Sequence, residues 1–314
     1  MFATQLRSCF TLFFAVSTLL LCSVLNSRVA AQTIQETEAR TLSLGVVYKT
    51  PQQDIEARFG DFVRYVAARL VPTSKIEGKV VIAPTLPQLA KLLDEKRVDF
   101  YIESPYPTYI VNNVHNAANI LLRRWKSGVA EYRSLIFSKS DSEIKRVQDL
   151  PGKTIAFEDP ESTSGYFLPK FFLQRNGFKL VEKTRNEASR SAKEIGYVFA
   201  HSRENLVNLV LSKQSAAGAF SNDDYARLDD KRRGDIRVLA QTELLPRHLL
   251  SVRKDLPAAF TAGLEKILLA MHEDDEGRRI LQKTDETTKF DALPGGEAAI
   301  RRRLLDTFYS VNKK

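Results

Sequence analysis

The chain has 314 residues, with 47 Lys and Arg against 38 Asp and Glu for a formal charge of +9, and two cysteines. Cys9 and Cys22 both lie in one N-terminal apolar run, so the rest of the chain has no disulfide, no cysteine metal site and no thiol nucleophile. The basic residues are scattered and not interleaved with aromatics, which speaks for small anions or an anionic membrane surface and against nucleic acid.

The chain opens on a targeting pattern. Arg7 is the only charge before the run from Cys9 to Leu25, and Val29-Ala30-Ala31 supplies small residues for cleavage. A signal peptide over residues 1–31, with export to the periplasm, is expected. A retained anchor is disfavoured because the run is short and broken by Ser17 and Ser23. Lipidation at Cys22 is disfavoured by the bulky Leu19-Leu20-Leu21 before it.

After the leader, strands and helices alternate. Leu42–Tyr48 reads as a strand, and Ile55, Phe59, Phe62, Val63, Val66 and Leu70 fall at helical spacing. Lys79–Ala83 is a second strand, and Thr85 caps a short helix that Pro87 begins, with Leu89, Leu92 and Leu93 inward. Val98–Ile102 is a third strand, followed by a helix through Tyr109 and Val111. Ile120–Leu122 and Tyr132–Ser138 read as extended.

A second series begins near Leu150. It has strands at Thr154–Phe157, Tyr197–Ala200 and Ala216–Phe220, a helix after Ser164 and another carrying Leu206, Leu209 and Val210. Ile236–Ala240 reads as a strand leading back. Helices over Leu256–His272, Gly277–Lys283 and Glu297–Tyr309 close the chain. This order predicts an α/β protein of two lobes, each with a mainly parallel sheet, and a ligand cleft between them. Lobe one takes residues 41–131 and 242–314, and lobe two takes 135–238. Crossings fall near 132–135 and 238–242.

The segment Lys153–Leu173 carries the chemistry. Strand Thr154–Phe157 runs into Asp159-Pro160, then Ser162-Thr163-Ser164-Gly165, then an apolar helical pattern. The first amides of that helix lack intrahelical partners and lie beside three hydroxyls, which suits a tetrahedral oxyanion. The plain alternative is an ordinary helix cap.

Asp149–Phe178 resembles the signature of periplasmic phosphate/phosphite/phosphonate-binding proteins of ABC transporters. Further matches follow the family's order: Val98-Asp99-Phe100 into Ser104-Pro105-Tyr106, Phe199-Ala200-His201-Ser202, Ala217–Asp223, and Ser251–Pro257. The resemblance implies the type II-like form of the two-lobed fold. It implies that Ser162, Thr163 and Ser164 bind phosphoryl oxygens, that His201 faces the anion, and that Tyr48 and Tyr106 close over the ligand.

Two positions depart from the family pattern. Glu103-Ser104 stands where an aromatic and a glycine are common, so Glu103 either points away or pairs with a cation on the ligand. Ser221 replaces a common acidic residue, with Asn222, Asp223 and Asp224 just beyond. The implied activity is a monomeric solute receptor with no cofactor and no metal. It captures a small phosphorus oxyanion by cleft closure and delivers it to a membrane permease. The alternatives are a periplasmic sensor that docks on a receptor kinase, or a binder of another small anion such as a sulfonate. An enzyme is not expected: Ser164, His201 and Asp223 come without a G-x-S-x-G elbow, and the four histidines lack metal spacing.

Overall fold

Strand β1 (Thr41–Val47) is buried along most of its length, as a strand covered by helices on both sides must be. Gly45 lies at its middle; a Cβ there would stand 2.6 Å from Leu89 and 2.7 Å from Val98, so the residue lets the next helices close on the sheet. These details come from a computed structural model, which describes residues 41–48, 52–70, 76–183 and 192–309. The expected signal segment 1–31, with Cys22, lies outside the described residues.

The helix Gln52–Leu70 buries Ile55, Phe59, Phe62, Val63 and Val66 on one stripe against β1 and β2 (Glu77–Ala83). Helix Leu86–Asp94 begins as read: Thr85 Oγ1 accepts from Gln88 N at 3.3 Å, and Leu89, Leu92 and Leu93 are buried. Strand β3 (Phe100–Glu103) leads into a helix at Pro105–Tyr109 that widens to a π-turn over Ile110–Val114. Then come β4 (Ala118–Lys126), β5 (Glu131–Tyr132), β6 (Ser134–Lys139), β7 (Thr154–Phe157), β8 (Lys179–Glu182), β9 (Glu194–Phe199), β10 (Ala217–Ser221) and β11 (Ile236–Gln241). The last strands are β12 (Leu245–Pro246), β13 (His248–Arg253) and β14 (Thr287–Asp291), with helices at Ala258–Ala270, Asp275–Lys283 and Gly296–Phe308.

Two six-stranded sheets result, ordered β14-β4-β13-β3-β1-β2 and β11-β6-β10-β7-β9-β8. Their cores are mixed rather than uniformly parallel. β2-β1-β3 and β8-β9-β7-β10 are parallel, while β13, β14, β6 and β11 add antiparallel pairings. The reason lies in the connections. β6 and β13 each follow a two-residue strand, β5 or β12, and these two pair with each other in a separate ribbon. A chain arriving through that ribbon enters its sheet at the edge where the parallel strands end, and so runs opposite to its neighbours. Among the described residues, no helix is long and apolar enough to cross a membrane.

Candidate functional site

Strand directions decide which residues meet. β4 is parallel to β3, since both lie antiparallel to β13 between them. One edge of the first sheet therefore carries Tyr48 after β1, Glu103 at the end of β3, Arg124 and Lys126 on β4, and His248 at the start of β13. The matching edge of the second sheet carries the Ser162–Ser164 turn after β7, His201 after β9 and Ser221 at the end of β10. Ligands of such sheets bind beyond the carboxyl ends of strands.

The two edges touch. Ser104 Oγ and Thr163 Oγ1 share a hydrogen bond of 2.9 Å, and Tyr106 N donates to Thr163 Oγ1 at 3.1 Å. The Tyr106 ring stacks on Phe167 with centroids 3.2 Å apart, and meets Phe308 edge-on.

The three hydroxyls of the turn hold different positions. Ser162 is the N-cap: its Oγ accepts from Gly165 N at 3.0 Å and donates to Glu158 Oε2 at 2.9 Å. Any Cβ at residue 165 would lie 2.5 Å from the Glu158 side chain, so only glycine admits this arrangement. Thr163 is buried and spends its hydroxyl on the opposite edge. Ser164 is also buried; its carbonyl accepts from Ser134 Oγ at 2.7 Å, while no hydrogen bond of its own hydroxyl occurs among the described residues. The chain then makes one wide π-turn, Thr163–Phe167, before the α-helix Leu168–Arg175.

The remaining expected residues spread along the edges. His201 is exposed, has left-handed backbone (φ 60°), and donates its amide to Glu158 O at 2.7 Å. Tyr48 accepts at its hydroxyl from Arg58 Nη1 at 2.6 Å. Ser221 is fully buried and caps the short helix Asn222–Ala226, accepting from Asp224 N at 3.0 Å. Glu103 turns back on its own chain and accepts from Ser104 N at 3.2 Å.

Burial pushes the Glu103 carboxyl up to about 7 from 4.5, against the pull of the Ser104 amide and Arg124, and with help from Glu161 and Asp285. Between those two values the native protein holds a proton that the unfolded chain has lost. Stability therefore falls as pH rises through this window and levels off above it. Glu103→Gln is expected to leave the melting temperature of the ligand-free protein nearly unchanged near pH 4 and to raise it near pH 8. The same shift at both pH values would show that the carboxylate carries no burial cost.

Three groups at the site escape a reading of motifs. Glu158 lies against Ser162, and burial, then Asp224, raise its carboxyl. Arg247 bonds Asp223 through Nε at 2.8 Å and covers the Tyr132 ring at 4.4 Å. Arg124 is 2% exposed and reaches Asp285 at 3.0 Å. For Arg124 a signal existed: Ile120, Leu122 and Arg124 alternate in one phase, so a charge falls on the inward face of a strand.

Comparison with known proteins gives the family and the fold. Residues 44–293 fit the family described as ABC transporter, phosphonate, periplasmic substrate-binding protein. The chain is 26% identical to XAC2383 from Xanthomonas citri in its ATP-bound structure, covering 87% of this chain and 97% of that one at a TM-score of 0.76. PhnD1 from Prochlorococcus marinus, in complex with methylphosphonate, shares the fold at 16% identity, a TM-score of 0.62, and coverage of 88% and 100%. The phosphonate-transporter binding protein PA3383 from Pseudomonas aeruginosa does so at 16%, 0.55, 88% and 98%. The family is one of solute-binding receptors, not enzymes, that hand a small ligand to a membrane permease. Since the match spans most of the chain, from the first strand to the last, the protein belongs to the phosphonate-type periplasmic substrate-binding proteins of ABC transporters.

Proposed function

We propose that the protein captures a small phosphorus oxyanion (phosphonate, phosphite or phosphate) between a lobe of residues 41–131 and 242–314 and a lobe of residues 135–238. Closure of the cleft then presents it to the permease. The N-terminal 31 residues serve in export and are removed.

The observation that carries this reading is the Ser164 hydroxyl. It lacks a protein partner among the described residues, belongs to a largely buried residue, and sits at a helix start on the ligand edge of the second sheet. A hydroxyl with no protein acceptor, set beside the first amides of a helix, is free to donate to an oxyanion at the turn. Two of the similar structures support the choice of element, since ATP and methylphosphonate both present phosphoryl oxygens.

The test is a thermal-shift screen of the mature protein against phosphate, phosphite, methylphosphonate, aminoethylphosphonate, sulfate and taurine. A ligand at a hundred times its Kd adds about 2.7 kcal/mol to stability by mass action. At least one phosphorus compound is expected to raise the melting temperature by several degrees, and the sulfur compounds to leave it in place. Sulfate or taurine shifting it as far as the phosphorus compounds would defeat the assignment.

A further inference from the structure

The ligand edge of the first sheet carries basic side chains that the Ser162–Ser164 turn does not explain. Arg124 and Lys126 stand two apart on β4 and so share a face. His248 lies directly opposite Arg124 across the β4–β13 pair, on that same face. Arg247 precedes it, with its guanidinium over Tyr132, and the Tyr132 hydroxyl lies beside Thr163. The basic group thus extends from the first sheet to the anion turn itself.

Charge and hydrogen bonding are both incomplete there. Three cations hydrogen-bond to two carboxylates. Asp223 serves Arg247, while Arg124 Nη2 at 3.0 Å and Lys126 Nζ at 2.8 Å converge on the same Asp285 Oδ2. Arg124 Nε and His248 Nδ1 are both buried, and neither has a hydrogen-bond partner among the described residues. Burial, and then Arg124, Arg247 and Lys126, hold His248 well below the ordinary imidazole range, so it adds no charge of its own. Glu103 lies within electrostatic reach of Arg124 and Asp285, but burial pushes its carboxyl up to about 7, so it offsets this charge only in part. A guanidinium that is buried with a free N–H, beside surplus positive charge, is a site waiting for an acceptor.

We propose that Arg124, Lys126 and His248 form a second anion site, which takes a carboxylate or further phosphoryl group of a ligand whose first phosphoryl group sits at Ser164. The inference rests on the proposed function and narrows it to phosphorus compounds with two anionic groups.

Titration calorimetry on the mature protein with methylphosphonate, phosphonoacetate, pyrophosphate and aminoethylphosphonate tests this. Methylphosphonate offers the first group alone, phosphonoacetate adds a carboxylate, and pyrophosphate adds a phosphoryl group. One of the two doubly anionic compounds is expected to bind at least about tenfold tighter than methylphosphonate, the scale of one charge-assisted contact. Lys126→Gln, at a partly exposed position, should reduce that advantage several-fold and change methylphosphonate affinity little; Arg124→Gln should abolish it. If Arg124→Gln does not fold, Lys126→Gln decides. Methylphosphonate or aminoethylphosphonate binding as tightly as both doubly anionic compounds would overturn the second site alone. So would Lys126→Gln weakening all ligands equally. Wild-type protein that binds none of the four overturns the proposed function, and this site with it.

Discussion

Ser164→Ala is expected to weaken methylphosphonate binding about ten- to hundredfold while the melting temperature of the ligand-free protein stays in place. A hydrogen bond to a charged group contributes roughly 1.5–3 kcal/mol, and tenfold in affinity corresponds to about 1.4 kcal/mol. The Ser164 hydroxyl bonds nothing else among the described residues, so its removal takes no contact from the unliganded protein. Ser162→Ala should behave differently. That hydroxyl caps Gly165 N, and losing a cap costs about 1 kcal/mol of stability whether ligand is present or not. Thr163 is a third case, because its hydroxyl already holds Ser104 and the Tyr106 amide across the cleft. With all three replaced by alanine, calorimetry should show affinity reduced by orders of magnitude in a protein that still folds. Undiminished affinity in the triple variant would mean that the turn is only the start of a helix.

Asp99→Ala should cost about 3–5 kcal/mol, the range for stripping one partner from a buried ion pair. Asp99 lies just before β3 and spends both oxygens. Oδ2 accepts from Ser43 N at 2.8 Å, and Oδ1 accepts from Arg253 Nε at 2.9 Å. Both side chains of the pair are 10% exposed, and Arg253 also bonds Asp255. Alanine leaves a buried guanidinium short of an acceptor and a β1 amide without one. At about 2–4 °C per kcal/mol for a domain of this size class, the melting temperature should fall by roughly 10 °C. Adding Arg253→Met should recover part of the loss, since the unpaired charge then goes too. A loss below about 1 kcal/mol would show that Asp255 alone satisfies Arg253.

The Asp99–Arg253 pair also explains two sequence matches. Val98-Asp99-Phe100 and Ser251-Val252-Arg253 read as separate fragments of a family signature, yet they are neighbours in space, with β13 lying beside β3. Strand β13 itself was not legible as a strand. His248, Ser251 and Arg253 interrupt its apolar run, and the last two take partners from far along the chain. Ser251, for example, accepts from Asn112 at 2.9 Å. β8 and β14 were missed for a related reason: both are short edge strands with polar residues outward.

What the amino-acid order settled by itself was local or cumulative. The apolar stripe from Ile55 to Val66, the Thr85 cap, the strand–turn–helix around Ser162, and the α/β alternation follow from how one element divides its residues between solvent and core. The family followed from several such fragments in the right order. Tertiary structure alone decided that the sheets are mixed, because strand direction depends on which edge the chain enters. It alone separated three adjacent hydroxyls into a cap, a cross-cleft strut and a free donor. It alone set Glu103 near 7 and left Arg124 with an unused N–H. Hydrogen bonding and desolvation act at contact distance, and the contacts here join residues as far apart as the 161 positions between Arg124 and Asp285, beyond the reach of any local pattern.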